Sequence, residues 1–136
     1  MHDSAEASVQ PTVEMLASVA NPPVPADLEV RTVLITLPPG SAGSPPHRHP
    51  GPAFGYVLSG EVIIELEGEP ERVVKAGEAF WEPGGDLIHY SGANNLPDAE
   101  TSYVVTLLGT AGQPVLTPVG AEELEERRDR RASKPR

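Results

Sequence analysis

Period-two alternation of apolar and polar residues, cut at short intervals by glycine and proline, constrains this chain more than any other feature. In Glu61-Val62-Ile63-Ile64-Glu65-Leu66-Glu67, Val62, Ile64 and Leu66 fall on one face and the three glutamates on the other. That is the pattern of a half-buried strand with one wet side. Thr101 to Leu108 is a β-branched run before Gly109, and Glu29 to Leu37 is another, stopped by Pro38-Pro39-Gly40; both predict strands. Val13, Met15, Ala17 and Val19 alternate with Glu14, Leu16 and Ser18, which predicts a further strand before Asn21-Pro22-Pro23. Gly68-Glu69-Pro70, Ala76-Gly77 and Pro83-Gly84-Gly85 punctuate the middle at a spacing of roughly 8–12 residues, as in all-β sandwiches and barrels.

The one helix signal is terminal, Ala121 to Ala132, where Glu123 with Arg127 and Glu126 with Arg130 are favourably oriented i,i+4 pairs. Leu124 is almost its only large apolar residue, so the helix has no core-facing stripe and reads as a solvated helix or tail. A chain of 136 residues is expected to form one domain. The organisation expected is an N-terminal arm with one strand (1–28), a barrel (29–110) and a charged C-terminal helix or tail (111–136).

Composition removes whole classes of function. The chain has no Cys, so it has no disulfide framework, thiolate metal site or cysteine nucleophile. It carries 20 acidic residues against 10 Lys plus Arg, and residues 1–120 hold only four of those bases. Such a surface repels phosphate backbones, and Arg31, Arg48, Arg72 and Lys75 are too scattered to form a basic stripe. Neither nucleic acid nor an anionic membrane is an expected partner. The apolar runs Thr32 to Leu37 and Ala53 to Leu58 are too short to span a bilayer. The first residues lack the basic start and apolar run of a signal peptide, and a soluble cytoplasmic protein is the expectation. There is no GxSxG elbow, no GxxxxGK[ST] loop and no GxGxxG after a strand, which leaves hydrolase, nucleotide-dependent and dehydrogenase chemistry without residues.

Histidine is where chemistry can sit. His47 and His49 lie in Pro45-Pro46-His47-Arg48-His49-Pro50, where the prolines hold the backbone extended. Positions i and i+2 of an extended segment point the same way, so two imidazoles can converge on one metal ion while Arg48 faces away. His89 follows Pro83-Gly84-Gly85 in Asp86-Leu87-Ile88-His89-Tyr90-Ser91. If residues 87–91 form a strand, Leu87, His89 and Ser91 share a face, with Ile88 and Tyr90 on the other.

These segments resemble the two motifs of the cupin superfamily. Its first motif, a glycine, a spacer, HxH, a glutamate and a glycine, is matched by Gly40, His47-Arg48-His49 and Gly60. Its second, a glycine, Pro-x-Gly, a histidine and an asparagine, is matched by Gly77, Pro83-Gly84-Gly85, His89 and then Asn94 and Asn95. The resemblance spans about residues 30–108 and implies a double-stranded β-helix, the cupin jelly-roll barrel, with His47, His49 and His89 as metal ligands. Two departures stand out. The family's carboxylate position holds Ala53, or Phe54 if the spacer is counted one longer. The second motif has one extra residue between Gly85 and His89, and another before Asn94. The resemblance therefore implies a three-histidine variant without the motif glutamate, closest in pattern to the three-His oxygenases of the superfamily.

Neutral imidazoles suit a divalent transition metal, with Fe the first expectation and Zn, Ni, Cu and Co also compatible. Alternation from Ala53 places Gly55 and Val57 on its face, which predicts a small apolar wall. Trp81 and Tyr103, with Tyr56 and Tyr90, are candidate pocket walls or core residues. Glu82 and Tyr90 are candidate catalytic groups, and a turn carboxylate such as Glu82 or Asp86 is otherwise simply solvated. The reading is an all-β metal-binding cupin acting on a small organic molecule, first as an Fe(II) oxygenase. The alternatives are a Zn or Ni isomerase or lyase and a non-catalytic small-molecule sensor. A homodimer is expected from the resemblance and from the need of the N-terminal strand for a sheet edge.

Overall fold

The alternating runs become strands of two facing antiparallel sheets in the computed structural model, which describes residues 9–133. The strands are β1 (Leu28–Leu37), β2 (His47–Arg48), β3 (Ala53–Ser59), β4 (Glu61–Leu66), β5 (Arg72–Lys75), β6 (Ala79–Glu82), β7 (His89–Asn94), β8 (Thr101–Thr110) and β9 (Thr117–Pro118). One sheet has the order β1-β8-β3-β6 and the other β5-β4-β7-β2-β9. Apart from the β4–β5 hairpin, strands consecutive in sequence alternate between the two sheets, as the double-stranded β-helix requires. The inner faces meet in a core of Val57, Val62, Ile64, Phe80, Val105 and Leu107. Burying such side chains contributes roughly 1.5–3 kcal/mol each.

Two glycines set the framework. Gly60 links β3 to β4 at φ 80°, and a Cβ there would collide with Thr101. Gly84, at φ 72°, lies so close to the Gly51 backbone that a side chain has no room. The Gly85 N–H also donates to the His49 carbonyl at 2.8 Å. The β6–β7 turn is thus fastened to the HxH segment, which brings the two halves of the site together. Asn94 acts as a lock: its amide donates to the carbonyls of Pro38 and Ala99, and its oxygen accepts from Thr101 and the Leu96 N–H.

Two expectations from sequence are corrected. Residues 11–19 form no strand and pair with none of the described strands, although β1 is the edge of its sheet. The C-terminal helix is short, α1 (Ala121–Glu126), followed by a 3₁₀ turn at Arg128–Arg130, and it is docked rather than solvated. Leu124 packs on Ile88, Tyr90 and Val119. Arg127 pairs with Glu67 and Asp86, Arg131 with Glu65, and Arg48 with Glu123. The glutamate face of β4 that reads as wet is the face this segment covers, and Glu65 and Glu67 are buried. Among the described residues no helix is long and apolar enough to cross a membrane.

Candidate metal centre

Three elements deliver the histidines to one point. Pro45 and Pro46 hold the chain extended into β2, and His47 pairs in register with His89 of β7. His49 projects to the same side two residues on. The extra residue before His89 is absorbed by a β-bulge: Glu65 faces Ser91, yet Leu66 faces His89, leaving Tyr90 unpaired. A bulge of this kind re-aims a side chain, and here it keeps His89 in the cluster. Their available ring nitrogens all lie within 4.8 Å of one another.

Hydrogen bonds fix which nitrogen of each ring is bare. A backbone carbonyl only accepts, so each ring nitrogen that touches one must carry its proton. The His47 Nδ1–H donates to the Pro45 carbonyl at 2.8 Å, and the His49 Nδ1–H to the Val115 carbonyl at 2.8 Å. The His89 Nε2–H donates to the Ser91 carbonyl at 2.7 Å. In the neutral rings the lone pairs therefore sit on His47 Nε2, His49 Nε2 and His89 Nδ1, facing each other. Carbonyl-oriented imidazoles are the usual outer shell of a metal-binding histidine. His47 Nε2 and His49 Nε2 are only 3.2 Å apart, and two bare acceptors at that distance repel unless a proton or a metal cation lies between them. His89 Nδ1 is buried without a well-formed hydrogen bond, facing a Glu82 oxygen at 3.2 Å. The donor set therefore fits a transition-metal ion.

Glu82 completes the cluster. Its oxygens lie 3.0 Å from His49 Nε2 and 3.2 Å from His89 Nδ1, and the residue is buried. Burial pushes its carboxyl up, but the neighbouring His49 and His89 outweigh this and hold it down to about 2. For His49, burial works against the charged ring and the hydrogen bond with Glu82 overcomes it, raising its pKa; burial lowers that of His47. Without metal, Glu82 favours the charged form of the His49 ring.

The cluster opens into a cavity of about 320 Å³ between the sheets. Val33, Ile35 and Leu37 from β1, with Ile64, Val105 and Leu107, form its apolar walls. No lysine or arginine lines it. The Tyr103 hydroxyl is a polar group of the wall, pushed up to about 12 by burial and by the Glu82 charge, so it remains a hydrogen-bond donor at neutral pH.

Of the sequence-predicted site residues, His47, His49, His89, Glu82, Ala53 and Tyr103 come together here. Gly55 faces inward, but the Phe80 ring occupies the space over it, and Val57 is wholly in the core. Trp81 is not a pocket wall: it stacks on Phe54 on the outer face, ring centroids 6.1 Å apart. Tyr90 is not in the site either; its ring lies under the Arg131 guanidinium on the far side of the second sheet, 4.4 Å away. What the sequence reading missed was the reach of Glu82 and the three carbonyls that orient the rings. The alternation of Phe80 and Glu82 against Trp81 carries the signal for Glu82.

The sequence matches the family model for the cupin domain over residues 33–106, more than half of the chain. The chain belongs to the cupin family. No functionally curated protein matched it. Among solved structures, this cupin is similar to the DMSP lyase DddQ from Ruegeria pomeroyi DSS-3, with 21% identity and a TM-score of 0.54. That match covers 66% of this chain and 43% of the lyase, so the cupin spans less than half the lyase's length. Oxalate oxidase in complex with the substrate analogue glycolate matches at 23% identity and a TM-score of 0.52, covering 85% of this chain and 72% of the oxidase. At these identities the likeness is one of fold.

Proposed function

We propose that this cupin is a metal-dependent enzyme, a non-haem Fe(II) oxygenase acting on a small, largely apolar organic molecule. The observation that carries the reading is the trio of carbonyl-oriented imidazole lone pairs at the inner end of an apolar cavity. His47, His49 and His89 would hold the metal, which when bound supplies redox and Lewis-acid activation at positions the protein leaves open. The chain's own residues do the rest. Val33, Ile35, Val105 and Leu107 exclude water and fit an apolar body, and the Tyr103 hydroxyl offers one hydrogen bond to a substrate oxygen. The lack of a cationic lining residue argues against small dianionic substrates. Zn or Ni isomerase and lyase chemistry demands more of protein acids and bases than oxygen insertion does. The sparse acid–base equipment of the cavity favours the oxygenase among enzymes, and it is also what a non-catalytic sensor would show.

Oxygen uptake by Fe(II)-loaded protein on a panel of phenols, diketones and thiols tests the proposal. Uptake that needs substrate, metal and His47 together supports it. Ligand-induced thermal stabilisation with no uptake on any substrate would replace it with the sensor reading.

A homodimer is part of the proposal. The outer face of the first sheet leaves Leu34 64% exposed, and the unpaired N-terminal segment leaves Val13 94% exposed; a second copy of the chain would cover both. Light scattering should give twice the 14.4 kDa chain mass, and a monomer at all concentrations contradicts it.

A further inference from the structure

The geometry points to Glu82 as a fourth metal ligand, a carboxylate supplied from β6 in place of the one that Ala53 on β3 lacks. The inference rests on the metal reading above. Ala53 and Glu82 are direct partners in the β3–β6 ladder, so their side chains leave the same face of the sheet side by side. A carboxylate lost from one strand is thereby recovered from its neighbour, with Phe80 and Glu82 pointing inward and Trp81 outward.

Three observations support ligation over a purely structural pair. Glu82 is 3% exposed, and its ion-pair partners among the described residues are His49 and His89, with no lysine or arginine. A carboxylate buried without a fixed cation is costly, and a bound metal would supply that charge. Three of the separations also fit. Ligand atoms bound at about 2.1 Å and at right angles on one ion lie about 3.0 Å apart. The pairs Glu82–His49, Glu82–His89 and His47–His49 measure 3.0, 3.2 and 3.2 Å. Finally, the two carboxylate oxygens address two different rings, placing the group across the cluster rather than at its edge. The small Ala53 side chain leaves the space beside Glu82 to the cavity.

The consequence is a three-imidazole, one-carboxylate donor set whose carboxylate approaches from a different strand. A carboxylate raises affinity for hard divalent ions more than for soft ones. Titration calorimetry with Mn(II), Co(II) and Zn(II), done anaerobically on purified untagged protein, tests it. Glu82→Gln should weaken Mn(II) and Co(II) binding at least tenfold and Zn(II) less, and should alter the visible spectrum of the Co(II) form. The double variant Ala53→Glu/Glu82→Ala should recover Mn(II) affinity to within about threefold. Should Glu82→Gln fail to fold, Glu82→Asp must weaken Mn(II) binding and shift the Co(II) spectrum. Unchanged Mn(II) and Co(II) affinities and spectra in the Glu82 variants would overturn the assignment. If His47→Ala/His49→Ala still abolishes binding, the three-histidine reading survives that result; if wild-type protein binds none of the ions, both fall.

Discussion

Replacing Arg127 by alanine probes how the C-terminal segment is held to the barrel. The Arg127 guanidinium makes a two-pronged pair with Glu67, and the two side chains are 10% and 6% exposed. Its other partners, Asp86 and Glu123, are exposed, so solvent screening weakens those pairs. The Glu67 pair therefore decides the outcome. Removing one partner of a buried pair costs about 3–5 kcal/mol, because the remaining charge stays desolvated. The molecule has a cheaper response: residues 120–133 can lift away so that Glu67 hydrates. That forfeits the contacts of Leu124 with Ile88, Tyr90 and Val119 and the Arg131–Glu65 pair, on the order of 2–3 kcal/mol together. The smaller cost sets the limit, so urea denaturation should show a loss of about 2–3 kcal/mol. Adding Glu67→Gln to Arg127→Ala should restore more than 1 kcal/mol, with a coupling energy of about 1.5 kcal/mol. A loss under about 0.5 kcal/mol with no coupling would place the clamp among ordinary surface ion pairs and refute the reasoning.

Two further outcomes follow from the site. In Gly55→Ala the new methyl collides with the Phe80 ring, which must turn into the cavity; overpacking of this kind costs about 1–3 kcal/mol. Ligand binding should weaken in parallel, and an unchanged midpoint in denaturant would contradict the packing. Metal-free protein should also lose stability in acid. The Glu82 carboxyl is held at about 2 in the folded chain against 4.5 when free. Its contribution is thus fully present above about pH 4.5 and disappears as pH falls through about 2. Denaturation midpoints followed from pH 5 to 2.5 should decline less steeply in Glu82→Gln, and parallel curves would speak against the His49–Glu82 pair.

Much of the barrel was legible because alternation is a local property. Val62, Ile64 and Leu66 point inward as their spacing requires, and the two histidines flanking Arg48 converge because prolines hold that segment extended. What escaped is what depends on pairing between distant segments. Glu65 and Glu67 look solvated in sequence, and so do Arg127 and Arg131. Each reading is wrong for the same reason, since the two sets bury one another. Glu82 reads as a turn carboxylate until the β3–β6 register sets it opposite Ala53. The extra residue before His89 looks like a displacement until a bulge at Tyr90 absorbs it.

The central claim is that His47, His49 and His89 form a metal centre. The direct measurement is the metal content of untagged protein after loading and desalting, set beside that of His47→Ala/His49→Ala. The account predicts close to one equivalent of a divalent transition metal in the wild type and almost none in the double variant. Equal, substoichiometric metal in both, with both folded, would contradict it.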